Sequence, residues 1–264
     1  TIPSFEELHV PGDVMRQLGA LKHGLVLVTG MTGSGKSTTV ASLIDWININ
    51  QARHILTIED PIEYAQPNKH SIVSQRQVGE DVATFDSAVR AALRHDPFVI
   101  FVGDMRDSDT IRSAISAAAT GHLVISTLHA NTASEVITRI VSFFDPVERD
   151  LVRFQLRDCV KCIICQRLVA KVNGGRVPAL EFLFNDTKHI SDCILDGDAE
   201  GIRAGMQQVL SQSFIVEKYL LDLAKDNVIS HDEAVANAAS HDTFEQMWHG
   251  NYAPPSIDSI KQHH

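Results

Sequence analysis

No stretch of this 264-residue chain stays apolar for the roughly 20 residues that a membrane-spanning helix needs. The longest apolar runs, Gly24-Leu25-Val26-Leu27-Val28 and Phe98-Val99-Ile100-Phe101-Val102, are strand-sized. The opening residues lack the charged, apolar and small-residue regions of a signal peptide, and a start at Thr1 instead of Met leads us to expect an upstream segment. Positive charge is in deficit: 23 Lys and Arg face 33 Asp and Glu, for a formal net charge of −10. That balance argues against a nucleic-acid partner or general attraction to anionic lipid. Long internal repeats and low-complexity segments are missing as well.

Cysteine is scarce, with four in all. Three are spaced Cys159-x-x-Cys162-x-x-Cys165, a spacing that suggests an iron–sulfur or zinc site. The fourth ligand at motif spacing and the following proline are both missing. Steps of three within Leu156 to Cys165 predict instead a helix with small apolar side chains on one face. Thiols of this kind suit a reducing cytoplasm.

What is present alternates strand and helix. Ser4-x-x-Glu7 reads as a capping box opening a short helix, broken by Pro11-Gly12, with a second helix from Asp13 to Leu21. Strands are expected at Leu25–Thr29, His54–Ile58, Phe98–Val102, Leu123–Thr127 and Val177–Phe182. Between them, Val40, Leu43, Ile44 and Ile47 line one helix face, and Phe85, Val89, Ala92 and Leu93 another. A helix from Asp107 to Ala119 follows, and Val136, Ile137, Ile140, Val141 and Phe144 mark one more. This order implies an α/β fold with a mostly parallel sheet covered on both faces. From about Thr187 the pattern is helical only. We therefore expect a core over residues 1–185, a small α-helical domain over 186–250 and a loose tail over 251–264.

The chemistry is carried by Gly30-Met31-Thr32-Gly33-Ser34-Gly35-Lys36-Ser37, a full G-x-x-x-x-G-K-[ST] P-loop between an apolar strand and an amphipathic helix. Gly30, Thr32, Gly33, Ser34 and Gly35 supply backbone N–H groups to phosphate oxygens. Lys36 reaches the β- and γ-phosphates, Ser37 coordinates Mg²⁺, and Thr38 lies in the first turn of a helix whose positive end adds to the site. The ligand is thus ATP with Mg²⁺. Downstream, the apolar strand Phe98–Val102 ends at Gly103-Asp104, placing a carboxylate to hold Mg²⁺ or polarise the attacking water. Glu59 and Glu63, in Glu59-Asp60-Pro61-Ile62-Glu63, end the His54–Ile58 strand and point toward the same crevice. His122 and His129 bracket the next strand. His129 is placed to sense a γ-phosphate, whereas His122 lies at the opposite strand end and would act only at a neighbouring subunit.

Together these blocks resemble the secretion ATPases of type IV pilus and type II secretion systems. The carriers are the P-loop (30–39), an Asp box Ile-Leu-Thr-Ile-Glu-Asp-Pro-Ile-Glu-Tyr (55–64), a Walker B region Val-Gly-Asp-Met-Arg-Asp (102–107) and a His box Thr-Gly-His-Leu-Val-Ile-Ser-Thr-Leu-His-Ala-Asn (120–131). Ser74 to Gly79, Arg90 to Arg94 and Ile2 to Leu8 are most similar to the pilus retraction motors, the PilT-like branch, and no tetracysteine zinc insertion is present. The resemblance implies a RecA-like core and an Mg-dependent ATPase in a homohexameric ring. It further implies an inner-membrane pilus platform partner and a cytoplasmic place at the inner-membrane face, powering pilus retraction and twitching motility. A pilus-extension or type II secretion ATPase, or an accessory ATP-binding subunit with slow turnover, is the alternative. Arg76, Arg90, Arg94 and Arg112 are candidates for a charge supplied between subunits. The chain departs from the pattern in having Asp104 where Glu is usual and Ala119 where Glu is frequent. It also shows no counterpart of the N-terminal PAS-like domain and no clear retraction motif in His189 to Leu195.

Overall fold

The computed structural model describes residues 2–95, 97–208 and 212–256. In chain order the elements are α1 (Gly12–Gly19), β1 (Gly24–Thr29), α2 (Lys36–Asn50), β2 (His54–Glu59), β3 (Ile72–Gln77), α3 (Phe85–Ala92), β4 (Val99–Val102), α4 (Ser108–Ala119) and β5 (Leu123–Leu128). There follow α5 (Val136–Val141), α6 (Arg149–Cys159), β6 (Val160–Ala170), β7 (Arg176–Phe184), α7 (Lys188–Asp196), α8 (Ala199–Met206), α9 (Val216–Lys225), α10 (His231–Asn237) and α11 (His241–Trp248).

Seven strands form one sheet in the order β3-β2-β4-β5-β1-β6-β7. Every pairing is parallel except the last, where β6 and β7 form an antiparallel hairpin closed through Gly174-Gly175. The central strands are apolar at nearly every position because both faces are covered. Leu25 and Leu27 of β1, with Ile100 and Val102 of β4, pack beneath α3 to α8. The alternate residues Val26, Val28, Val99 and Phe101 pack on the other face against α1 and α2.

Four local expectations are corrected. Ser4 and Glu7 do exchange the reciprocal bonds of a capping box, at 2.8 and 3.2 Å, but they close a turn over residues 5–9 and no helix follows. An unforeseen strand, β3, is polar (Ile-Val-Ser-Gln-Arg-Gln) and lies only partly buried at one edge of the sheet, with Ile72 exposed. The helix expected across Cys159 to Cys165 is not there: Cys159 ends α6, and the chain turns straight into β6. Cys162 then points to the α1–α2 face and Cys165 to the opposite one, since three residues along a strand reverse the side. The final strand, β7, extends beyond its expected Val177–Phe182 core to Arg176–Phe184.

All four thiols are buried, and none is part of a disulfide. Burial pushes the Cys159 thiol up to about 12 and the Cys165 thiol up to about 11. Iodoacetamide at about pH 8 should therefore label the native chain at least about 100-fold more slowly than an exposed thiol, with all four sites released on unfolding. Rapid labelling of the native protein would contradict this burial.

The helices after β7 divide between two clusters. Ile190, Cys193 and Ile194 of α7, with Ile202 and Met206 of α8, join the main core. Those of α9, α10 and α11 (Val216, Leu220, Ala234 and Phe244) pack instead on the distal hairpin residues Val169, Val177 and Ala179. Of the expected tail, residues 257–264 lie outside the described residues; before them, the Pro255 carbonyl accepts from Gln208 Nε2 at 2.9 Å.

Candidate active site

The strands β2, β4, β5 and β1 are neighbours, and their carboxyl ends open on one crevice. Lys36, Ser37, Glu59, Glu63, Asp104 and His129 all line it, so six of the residues singled out by sequence converge. His122 does not. It precedes β5 at the opposite end of that strand, where its Nδ1 is 3.0 Å from the Ala117 carbonyl.

The P-loop runs from the end of β1 into α2. Gly33 and Gly35 have φ of 78° and 87°, a left-handed backbone that a side chain at these positions would strain. Lys36 is buried, and its ammonium donates to the Gly30 and Met31 carbonyls at 2.8 and 2.9 Å. Burial lowers its proton affinity, and the nearby charge of Asp104 opposes that effect. Thr32 and Gly33 are exposed at the loop tip, and the buried Ser34 hydroxyl has no partner within the protein. The Thr38 hydroxyl meets Tyr64 Oη at 3.0 Å, tying the helix start to the Asp box.

Asp104 lies just beyond β4 with 8% exposure. Its position is fixed by the neighbouring strands: Gly103 N–H donates to the Ile58 carbonyl at 2.8 Å and Met105 N–H to Thr127 at 3.1 Å. One carboxylate oxygen accepts from Arg106 Nε at 2.7 Å and lies 3.6 Å from His129 Nε2. The other is buried without a partner in the protein. An uncompensated buried carboxylate oxygen is costly, and this one fits a cation site. With the Ser37 hydroxyl on the same crevice, the donor set suits Mg²⁺, a hard ion that takes oxygen ligands.

Glu59 and Glu63 are less alike than their spacing suggests. Glu59 Oε1 accepts from Thr57 Oγ1 at 2.7 Å and Gln75 Nε2 at 3.1 Å, and burial pushes its carboxyl above the usual range despite those bonds. Glu63 lines the crevice beside Tyr64.

Several residues that shape the site escaped the sequence reading. Arg106 sits in the Walker B block yet was not singled out, although it grips Asp104 directly. Gln166, Arg167 and Glu181 come from the β6–β7 hairpin. Arg167 donates to the Asn131 carbonyl at 2.8 Å, and Glu181 Oε1 accepts from Ala133 N–H at 2.6 Å, so both hold the segment after His129. Their only signal was polarity inside otherwise apolar runs.

Comparison with known proteins agrees with this geometry. A family model described as type II/IV secretion system protein matches residues 10–244. The type IV pilus retraction ATPase PilT of Pseudomonas aeruginosa is 48% identical over 187 residues, covering 69% of this chain and 54% of that protein. The type IV pilus ATPase PilU of the same organism is 37% identical over 248 residues, covering 93% of this chain and 64% of that one. The chain thus spans between about half and two thirds of these curated relatives. A crystal structure of the pilus retraction motor PilT with bound ADP superposes with a TM-score of 0.87 at 46% identity, over 94% of this chain and 70% of the other. With P-loop, Asp box, Walker B strand and His box meeting at one crevice, and most of its length matched by the family model, the chain belongs to the type II/IV secretion system protein family.

Proposed function

We propose that this chain is the motor part of an ATP-hydrolysing ring that withdraws type IV pili. The observation that carries the reading is the meeting of Lys36, Ser37 and the half-satisfied Asp104 carboxylate at the carboxyl ends of β1 and β4. Relatives named as retraction and pilus ATPases, one of them with bound ADP, support it.

In this reading the glycine loop binds the phosphates through backbone N–H groups and Lys36 neutralises charge on the transferred group. Ser37 and Asp104 hold Mg²⁺, which supplies further charge neutralisation when bound. Asp104, or Glu59 or Glu63 in its place, orients a water toward the γ-phosphorus. A P–O bond to that water forms as the bond to ADP breaks. His129 links Asp104 to the nucleotide. Among the candidate inter-subunit arginines, Arg90 is bonded to Asp86 and Arg112 to Glu148, which favours Arg76 or Arg94 for the role. The same reading assigns residues 1–185 to the ATPase core and 186–250 to a helical domain, with a pilus platform protein at the cytoplasmic membrane face as partner. Among the described residues no helix is long and apolar enough to cross a membrane.

One observation favours a second reading, that of an accessory subunit with slow turnover. Asp104 is a methylene shorter than the usual Glu, and Arg106 already occupies one of its oxygens. Deleting the gene and measuring ATPase activity and light scattering of the full-length protein separates the possibilities. A retraction motor predicts cells with excess pili and a nucleotide-dependent assembly of about six copies. Bald cells would point to extension, and a stable monomer would contradict the ring.

A further inference from the structure

The strand that abuts the P-loop from behind is β6, which no nucleotide-binding motif announces. Thr29 and Cys165 are paired across β1 and β6, so Gln166 arrives where the chain leaves β1 for the loop. The Gln166 side chain is buried, with 3% exposure, and both ends of its amide are bonded to the loop–helix junction. Nε2 donates to the Ser34 carbonyl at 2.8 Å, and Oε1 accepts from the Thr39 hydroxyl at 2.8 Å. The loop is moulded around this residue. A Cβ at Gly30 would stand 2.2 Å from the Gln166 carbonyl oxygen, and one at Gly35 would stand 2.9 Å from Nε2.

We propose that Gln166 is a positioning residue for the phosphate cradle, fixing the Ser34–Gly35 peptide so that the Gly35 N–H faces the nucleotide phosphates. The inference rests on the ATP-binding reading above. Its physical basis is the planarity of the trans peptide, which makes the carbonyl of one residue and the N–H of the next point in opposite directions. Gripping the Ser34 carbonyl from the sheet side therefore turns the Gly35 N–H to the open side of the loop. With φ of 87°, Gly35 sits where the backbone has alternatives, and a loop free to flip this peptide would present a carbonyl to the phosphates. Holding Thr39 with the other end of the amide locks the loop to the first turns of α2. A side chain present only to fill space would be apolar; a buried amide is tolerated because its polar ends are used.

The test is ADP titration of the full chain by calorimetry, with melting midpoints measured without nucleotide. Gln166→Glu keeps the size and the bond from Thr39, but sets a carboxylate against the Ser34 carbonyl. At about pH 8 it should weaken ADP binding by at least about tenfold. A buried carboxyl titrates above its usual range, and once protonated it can donate to Ser34, so the loss should shrink as pH falls to about 6. Gln166→Met should lose a similar amount with no such pH dependence. Thr39→Val, which leaves the Ser34 bond intact, should lose less than about threefold. Absence of ADP binding by the parent would defeat the nucleotide reading itself. Parent-like binding by both Gln166 variants would overturn the proposal, as would equal losses in Gln166→Met and Thr39→Val, which would reveal a packing role. If Gln166→Glu fails to fold, the comparison of Gln166→Met with Thr39→Val decides.

Discussion

Lys36→Ala should lower ATP turnover by at least about 10²- to 10³-fold, because it removes a buried side-chain cation placed to meet the phosphate charge as it shifts. The fold should survive. Among the described residues Lys36 Nζ donates to the Gly30 and Met31 carbonyls, and release of the buried ammonium's desolvation offsets part of those two bonds, so its loss costs no more than about 1–3 kcal/mol. The buried ammonium also shifts the balance toward binding: burial penalises its charge in the free protein, and a phosphate restores what water would have given. Truncation should therefore weaken ATP more than ADP, since Lys36 reaches the γ-phosphate. Steady-state kinetics together with a thermal melt measure both effects. Unchanged turnover and nucleotide affinity would remove Lys36 from the site.

The second large effect is expected at Asp104. Shortening a carboxylate arm by one methylene moves it on the order of 1 Å from a water at the γ-phosphate, and a misplacement of that size can cost about 10²-fold. Asp104→Glu should accordingly raise kcat with little change in nucleotide affinity, and Asp104→Asn should lower it about 10²-fold. The Asn variant also strips Arg106 of its ion partner, but the Arg106 side chain is more than half exposed and has water as a substitute. Single-turnover hydrolysis is the proper readout, because slow product release can hide a faster chemical step. If Asp104→Glu is no faster and Asp104→Asn costs nothing, the water-orienting group is Glu59 or Glu63. Of these Glu63 becomes the stronger candidate, because Glu59 is already bonded to Thr57 and Gln75.

Most of the nucleotide crevice was legible because phosphate chemistry restricts residue types. Glycines at 33 and 35 are demanded by a left-handed backbone, and a lysine followed by a hydroxyl residue is what the proposed phosphate charge and cation call for. The parallel sheet was legible from runs such as Leu25–Val28 and Val99–Val102, which no half-exposed strand would show. β3 was hidden because its residues are only partly buried and its polar run, Ser74 to Gln77, shows no apolar periodicity. β6 was misread because a short buried run, Val160 to Ile164, fits either a strand or a buried helix, and cysteines three apart favoured the helix. Gln166, Arg167 and Glu181 were illegible for a different reason. Their meaning lies in contacts such as Gln166 to Thr39, 127 residues away, and local spacing carries no trace of those.

That separation has a consequence for how the molecule is born. The glycine loop leaves the ribosome early, attached to a strand whose two neighbours, β5 and β6, are encoded far downstream. Thr39 and Gln166 are 127 positions apart, roughly 6–25 s of synthesis at about 5–20 residues per second. Throughout that interval the β1 edge that β6 will cover has no partner, and the loop it carries lacks Gln166 behind it. The backing of the loop by Gln166 therefore forms only once β6 has been made and has docked on β1. In the proposed reading, nucleotide present at that moment would favour the docked sheet by mass action, giving the ligand a part in completing the fold.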